Sequence, residues 1–327
     1  MIVTDRVYGN VRIEKRAVLE LLADASMQRL KHIDQAGYFE PFWDGTKHTR
    51  YEHSLGVYIL LKKYKAPVEE QIAGLLHDVS HAAFSHCIDY VLDEGSPEYH
   101  DHQDNIFKKF VLKTNIPKIL KKYGFDPDYI LNEENFPLKE KDLPDLCADR
   151  IDYFLRTAVI IKKIDNNYLK NLFSNLITEN NNWIFKDFKT AKDFAKGFYN
   201  MNKDYYAGLS SATMFQTVAD FLKHGLSKDY INKKNLYTTD DKVLKKIKKH
   251  LKKDKKLNIL WLRMNNIIKA KNNPKNFHHR VLVKSRIIDP LFISKRKTIR
   301  LSDHLKSWRK TVETESLPKE YFLQFEK

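Results

Sequence analysis

Apolar residues recur at helical spacing along most of this chain, and that periodicity narrows its architecture more than any other feature. Residues 16–36 place Leu19, Leu22, Met27, Leu30 and Ile33 on one helical face. The same pattern predicts helices over 53–64 and 68–78, broken at Ala66-Pro67, and again near 102–113, 145–164 and 190–225. Asp145, after Pro144, is the expected cap of the helix at 145–164, and 84–93 reads as a shorter amphipathic stretch. No strand–helix alternation carries a glycine-rich turn, which excludes dinucleotide-binding and P-loop architectures. Two segments break the helical pattern. In 5–14, Val7, Val11 and Ile13 flank a Gly-Asn turn and suit a short hairpin. In 279–300, β-branched and basic residues alternate around Asp289-Pro290, which suits two paired strands.

The expected fold class is therefore mainly α: a helical bundle over 1–230, then a small α+β, lysine-rich portion over 231–327. Charge marks the same division. Residues 231–327 hold 27 Lys+Arg against 9 Asp+Glu, whereas the first 230 hold 31 against 33. Within the basic portion, 242–256 reads as an amphipathic helix with Val243, Leu244, Ile247 and Leu251 on one stripe. Such a helix either docks on its own domain, leaving a solvated lysine face, or meets nucleic acid or another polyanion. Two cysteines, Cys87 and Cys147, cannot build a disulfide framework and suit a reducing, cytoplasmic setting. No apolar run reaches the roughly 20 residues of a membrane span, and the N-terminus does not read as a signal peptide.

Histidines are concentrated where the helices are most apolar. His77, His81 and His86 fall within ten residues after IAGLL, and Asp78 adjoins the first. With His53 and a distant Asp149 they offer two imidazoles and two carboxylates, a donor set that suits a divalent first-row metal and leaves positions open. On a helix His77 and His81 would share a face.

The segments HTRYEHSLGV, GLLHDVSHAAFSH and ADRIDYF, in that order, resemble the HD-domain superfamily, and most closely its deoxynucleoside triphosphate triphosphohydrolase branch. The likeness runs from about Asp5 to Arg156. It implies an HD-domain helical bundle holding a divalent ion (Mn, Fe, Ni, Co or Mg) on His53, His77, Asp78 and Asp149. It implies His81 and His102 as catalytic groups, His100 being the alternative to His102, and Arg50 as a catalytic phosphate contact. It further implies Gln28 and Tyr153 beside the sugar, Lys203 and Tyr206 near the phosphates, a nucleotide substrate and a homo-oligomer. His86 is assigned a supporting or structural place. Two positions depart from the branch: Thr157 stands where it has an acidic residue, and FYNMNKDYYAGLSSATMF lacks its histidine. HDVSH differs from the HDxxED of the alarmone hydrolases, and the Gly-Tyr-Pro of the cyclic-dinucleotide branch is absent.

The reading is metal-dependent hydrolysis of nucleotides, with (deoxy)nucleoside triphosphates as the leading substrates. The alternatives are a nucleotide phosphomonoesterase or phosphodiesterase, and a nucleic-acid-binding module on an HD fold.

Overall fold

A computed structural model describes residues 1–326. The chain opens with strands β1 (Ile2–Asp5) and β2 (Gly9–Arg12), an antiparallel hairpin. Its turn precedes the Gly-Asn pair, because Asp5 Oδ1 accepts from the backbone N–H of Val7 and Tyr8 and closes the loop there. The helix expected over 16–36 is divided into α1 (Arg16–Ala23) and α2 (Ala25–Arg29). Asp24 divides it: its backbone is extended and its carboxylate caps Ser26 N–H.

Helix α3 (Arg50–Lys63) starts on a capping box, Thr49 and Glu52 each accepting from the other's backbone. It is buried on nearly every face. Val57, Leu60 and Leu61 enter one apolar cluster, while Leu55, Tyr58 and Ile59 enter another. A helix apolar all round belongs at the centre of a fold, and α3 packs on both α4 (Val68–Leu76) and α8. Between them come the 3-10 turn Ser85–Tyr90, where the amphipathic stretch 84–93 was expected, then α5 (His102–Val111), α6 (Ile116–Lys122) and α7 (Pro127–Ile130). Helix α8 (Ala148–Ile160) is capped at Cys147 rather than at Asp145, which instead pairs with Arg300 at 2.6 Å.

After α9 (Asn166–Asn175), strands β3 (Leu176–Glu179) and β4 (Asn182–Phe185) form a hairpin. The helix expected over 190–225 is two, α10 (Phe188–Met201) and α11 (Leu209–Ser227), joined by a π-helical turn at Asn202–Tyr206. Then come α12 (Lys233–Leu236), α13 (Asp240–Lys248) and α14 (Lys255–Met264). The basic helix expected over 242–256 ends at Lys248, and Leu251 lies in the turn before Asp254 caps α14. Val243 and Ile247 of α13 are buried, with Ile247 against Gly225, so α13 docks its apolar stripe on its own domain and exposes its lysines.

Strands β5 (Ala270–Asn272), β6 (His279–Val283), β7 (Leu291–Ser294) and β8 (Lys297–Arg300) precede α15 (Leu301–His304), α16 (Lys306–Glu315) and β9 (Lys319–Phe325). The two strands expected in 279–300 do not pair with each other. β6 pairs with β9, whereas β7 pairs with β8 through a two-residue turn, Lys295-Arg296, with positive φ at both positions. β7 also joins β4 in parallel. One apolar cluster runs from Val7 to Leu323 across the division at 230. No helix among the described residues is long and apolar enough to cross a membrane.

Candidate metal centre and substrate cavity

Three helices converge on four polar side chains. His53 lies one turn into α3 and is fully buried. Helix α4 ends at Leu76, so His77 and Asp78 sit on the turn that terminates it, not within a longer helix, with His81 N–H donating to Asp78 O at 3.1 Å. Asp149 is the second residue of α8. His53 Nε2 is 2.8 Å from Asp149 Oδ1 and 3.2 Å from His77 Nε2. His77 Nε2 lies 3.4 Å from both Asp149 Oδ1 and Asp78 Oδ1, and Asp78 Oδ2 is 3.7 Å from His53 Nε2. Neighbouring ligands of one octahedral ion are about 3 Å apart, given metal–ligand bonds of about 2.1 Å. The mutual spacing of His53, His77 and Asp149, with Asp78 beside them as the further carboxylate, and this donor chemistry fit a divalent ion.

The surroundings orient these donors. His77 Nδ1 is 2.8 Å from Gly74 O, and His53 Nδ1 is 2.8 Å from Asp152 Oδ2, so each ring turns Nε2 to the centre. Asp152 also meets Arg156 Nε and Nη2 at 3.0 Å and accepts from Tyr8 Oη at 2.9 Å, while Arg156 reaches Asp5 at 3.0 Å. Burial opposes ionisation of Asp152, but Arg156 and His53 outweigh it and hold its pKa below the carboxylate range. Burial likewise opposes charge on His53, yet Asp149 and Asp152 lift its pKa to about 9. Asp78 stays well below the usual range because Arg50, at 2.8 Å, offsets its burial. Asp152 and Arg156 escaped the sequence reading, although 149, 152, 153 and 156 share one face of α8.

Gly56 closes this network. A Cβ there would overlap Asp152 Oδ1 and Arg156 Nη2, both held from several sides. Gly56→Ala is expected to cost above about 3 kcal/mol, the upper range of overpacking, because the clash falls on a buried ion pair. Urea unfolding checks this; an unchanged midpoint would refute the packing argument.

A cavity of about 580 Å³ opens beside the tetrad, within the range of small-molecule sites. His77, Asp78, Asp149, Arg50, His81, Tyr153 and Tyr206 all line it. Arg50 donates from Nε to Ser85, from Nη1 to Asp78 and from Nη2 to Gln35 O, so its carboxylate partner is a candidate ligand. His81 Nε2 is 3.1 Å from Asp78, its Nδ1 is buried without a partner among the described residues, and burial and Arg50 bring its pKa down to about 4.

Three expected positions fall elsewhere. His102 does not line the cavity: its Nε2 lies 3.2 Å from Tyr237 Oη, and His100 takes the place in the wall. Gln28 binds Leu22 O, away from the cavity, and Gln35 lines it instead. Lys203 is exposed on the π-helical turn. His86 is a wall residue, its Nδ1 3.1 Å from Asp89. Gln103, Arg150, Lys284 and Arg286 also line the cavity and were not among the expected site residues.

The HD domain family matches residues 50–157, the span holding all four donors. "Metal-dependent phosphohydrolase cns2" of Cordyceps militaris is 31% identical over 249 residues, covering 74% of this chain and 71% of that protein. The chain belongs to the HD family of metal-dependent phosphohydrolases. The uncharacterized protein YdhJ of Bacillus subtilis is 36% identical over 245 residues, 75% of this chain and 74% of its own length. A crystal structure of a hypothetical protein from Aquifex aeolicus shares the fold, with a TM-score of 0.74 at 21% identity over 99% of this chain and 96% of that one. A more distant relative is human deoxynucleoside triphosphate triphosphohydrolase SAMHD1. It is 27% identical over 147 residues, 39% of this chain and 23% of that protein.

Proposed function

We propose that this HD phosphohydrolase cleaves a phosphate ester of a nucleotide bound in the cavity. One observation carries the reading: three of the four donors, His77, Asp78 and Asp149, form part of the wall of a chamber with room for a nucleotide and two tyrosines beside it, and His53 lies buried behind them. When bound, the divalent ion supplies Lewis acidity at a phosphate oxygen and lowers the pKa of water beside it. His53, His77, Asp78 and Asp149 would hold that ion. Tyr153 and Tyr206, ring centres 5.3 Å apart, flank the sugar or base. Neutral His81 offers Nδ1 as the site that takes a proton once a phosphate brings negative charge beside it, and it then serves the leaving oxygen.

The named activity of the distant SAMHD1 relative supports (deoxy)nucleoside triphosphates as substrates. The position of Lys203, exposed and off the cavity wall, favours a phosphomonoester instead. Hydrolysis of dNTPs, NTPs, monophosphates and cyclic dinucleotides, with Mn, Mg, Co and Ni each supplied, separates the two by product chromatography. Nucleoside plus tripolyphosphate marks a triphosphohydrolase; phosphate released only from monophosphates marks a phosphomonoesterase. No turnover with any metal would overturn the reading and leave a binding module.

The exposed lysines of α13 and of the turn that follows it belong to a different surface. Replacing Lys245, Lys246, Lys249 and Lys252 by Gln is expected to weaken retention on heparin while leaving kcat/KM on a small nucleotide within about twofold, since exposed charges beyond a Debye length are screened. Parallel loss of both would place this helix at the cavity.

A further inference from the structure

The segment after β6 carries two cations to the cavity by simple strand geometry. Residues two apart in extended chain share a face, so Lys284 and Arg286 project together while Ser285 projects the other way. Ser285 is buried and clamped there: Asn202 Nδ2 donates to its hydroxyl at 2.9 Å, and the hydroxyl donates to Glu315 O at 2.7 Å. Asn202 Oδ1 also accepts from Arg286 N–H at 2.8 Å. The π-helical turn thus contributes Asn202 as the fastener of a cation-bearing segment.

The cavity's other cations are occupied. Arg50 pairs with Asp78 at 2.8 Å, Arg150 with Glu140 at 3.1 Å, and Lys141 with Asp145 at 4.0 Å. Among the described residues, the Lys284 Nζ partner is Tyr99 O, at 2.7 Å, and the Arg286 side chain meets Lys284 O and His100 Nδ1, at 3.3 and 3.4 Å. Neither is paired with a carboxylate among the described residues. A row of imidazoles, His81, His86 and His100, with ring centres 5.0 Å apart at each step, leads from Asp78 to Arg286. Elsewhere the wall presents Asp104, Glu133, Glu140 and Asp142.

We propose that Lys284 and Arg286 seat a phosphate group of the substrate, and that the seat takes a single phosphate rather than a polyphosphate chain. The proposal rests on the reading that the substrate is phosphorylated. Two unpaired cations, one a planar guanidinium, match one phosphate dianion. Further phosphates would meet paired cations and carboxylates. Lys284 also titrates within reach: burial, reinforced by Arg286, brings its pKa down to about 8. Asp104 and Glu140 face it with negative charge and Arg150 with positive.

The test is calorimetric titration of inorganic phosphate and of tripolyphosphate into the Mn-loaded protein. The expected result is that Lys284→Met/Arg286→Met weakens phosphate binding about tenfold or more, as loss of charge-assisted hydrogen bonds does, while the exposed Lys252→Met does not. Tripolyphosphate should bind wild type within about tenfold of phosphate, since it gains no further unpaired cation. Unchanged phosphate affinity in the double variant, or a far tighter tripolyphosphate complex, would overturn the proposal. Should the double variant fail to fold, Lys284→Gln and a pH series replace it. Wild-type affinity should fall as pH rises through about 8, where Lys284 loses its proton, and Lys284→Gln should lack that step. A step in both, or in neither, counts against the seat. None of these readouts needs turnover, so inactivity toward nucleotides would sink the functional reading and leave this test standing.

Discussion

His77→Ala is expected to abolish measurable hydrolysis and leave the purified protein without its divalent ion, while the fold survives. His77 contributes Nε2 to a centre whose other donors lie 3.2 to 3.4 Å from it, and three donors then remain where four converged. Loss of Lewis acidity worth several kcal/mol corresponds to a rate loss of about a thousandfold or more. The fold should tolerate the change because His77 sits on the turn ending α4 and its main protein bond is Nδ1 to Gly74 O. Metal content by mass spectrometry and kcat/KM together check this, and full activity would sink the site assignment. Asp78→Ala is a poorer test. It strands the Arg50 guanidinium, 4% exposed, without its carboxylate, and a buried unpaired charge costs about 3–5 kcal/mol. Asp78→Asn keeps the shape and an oxygen for Arg50 to donate to, but it still removes the charge, so His77→Ala remains the cleaner test.

The second large effect is on stability. Arg156→Met is expected to destabilise the protein by about 3–5 kcal/mol, a large fraction of the roughly 5–15 kcal/mol typical of a folded domain. Arg156 is 1% exposed and bridges Asp5 of the N-terminal hairpin to Asp152. Its removal leaves the buried carboxylates of Asp5 and Asp152 without the guanidinium that joins them. The damage then reaches the centre, because Asp152 aims His53. Loss of that kind of support typically lowers metal affinity 10–100-fold. Urea unfolding followed by metal titration separates the two consequences. A midpoint unchanged from wild type would mean that the network is not what joins the hairpin to α8.

Helices recur at 3.6-residue spacing whatever they pack against, so α3, α5 and most of α8 were visible from local pattern. Breaks depended on single side chains: Asp24 divides the first helix, and the π-helical turn at Asn202 divides α10 from α11. Neither interrupts the apolar periodicity, so neither was visible. Strand partners were less legible still. Residues 279–300 contain the expected strands, but β6 finds β9 and β7 finds both β8 and β4, pairings set by distant segments.

The candidate site divides along the same line. Sequence by itself pointed to the donor chemistry, because imidazoles and carboxylates beside strongly apolar runs are ordinarily paired or ligating, and His77 and Asp78 are adjacent in the chain. Tertiary structure alone decided which neighbours serve those donors. It chose His100 over His102 and Gln35 over Gln28 for the wall, put Asp152 behind His53, and brought Lys284 and Arg286 from the last fifty residues to the cavity. Those choices depend on where a side chain lands after long stretches of intervening chain have folded, and no local period encodes that.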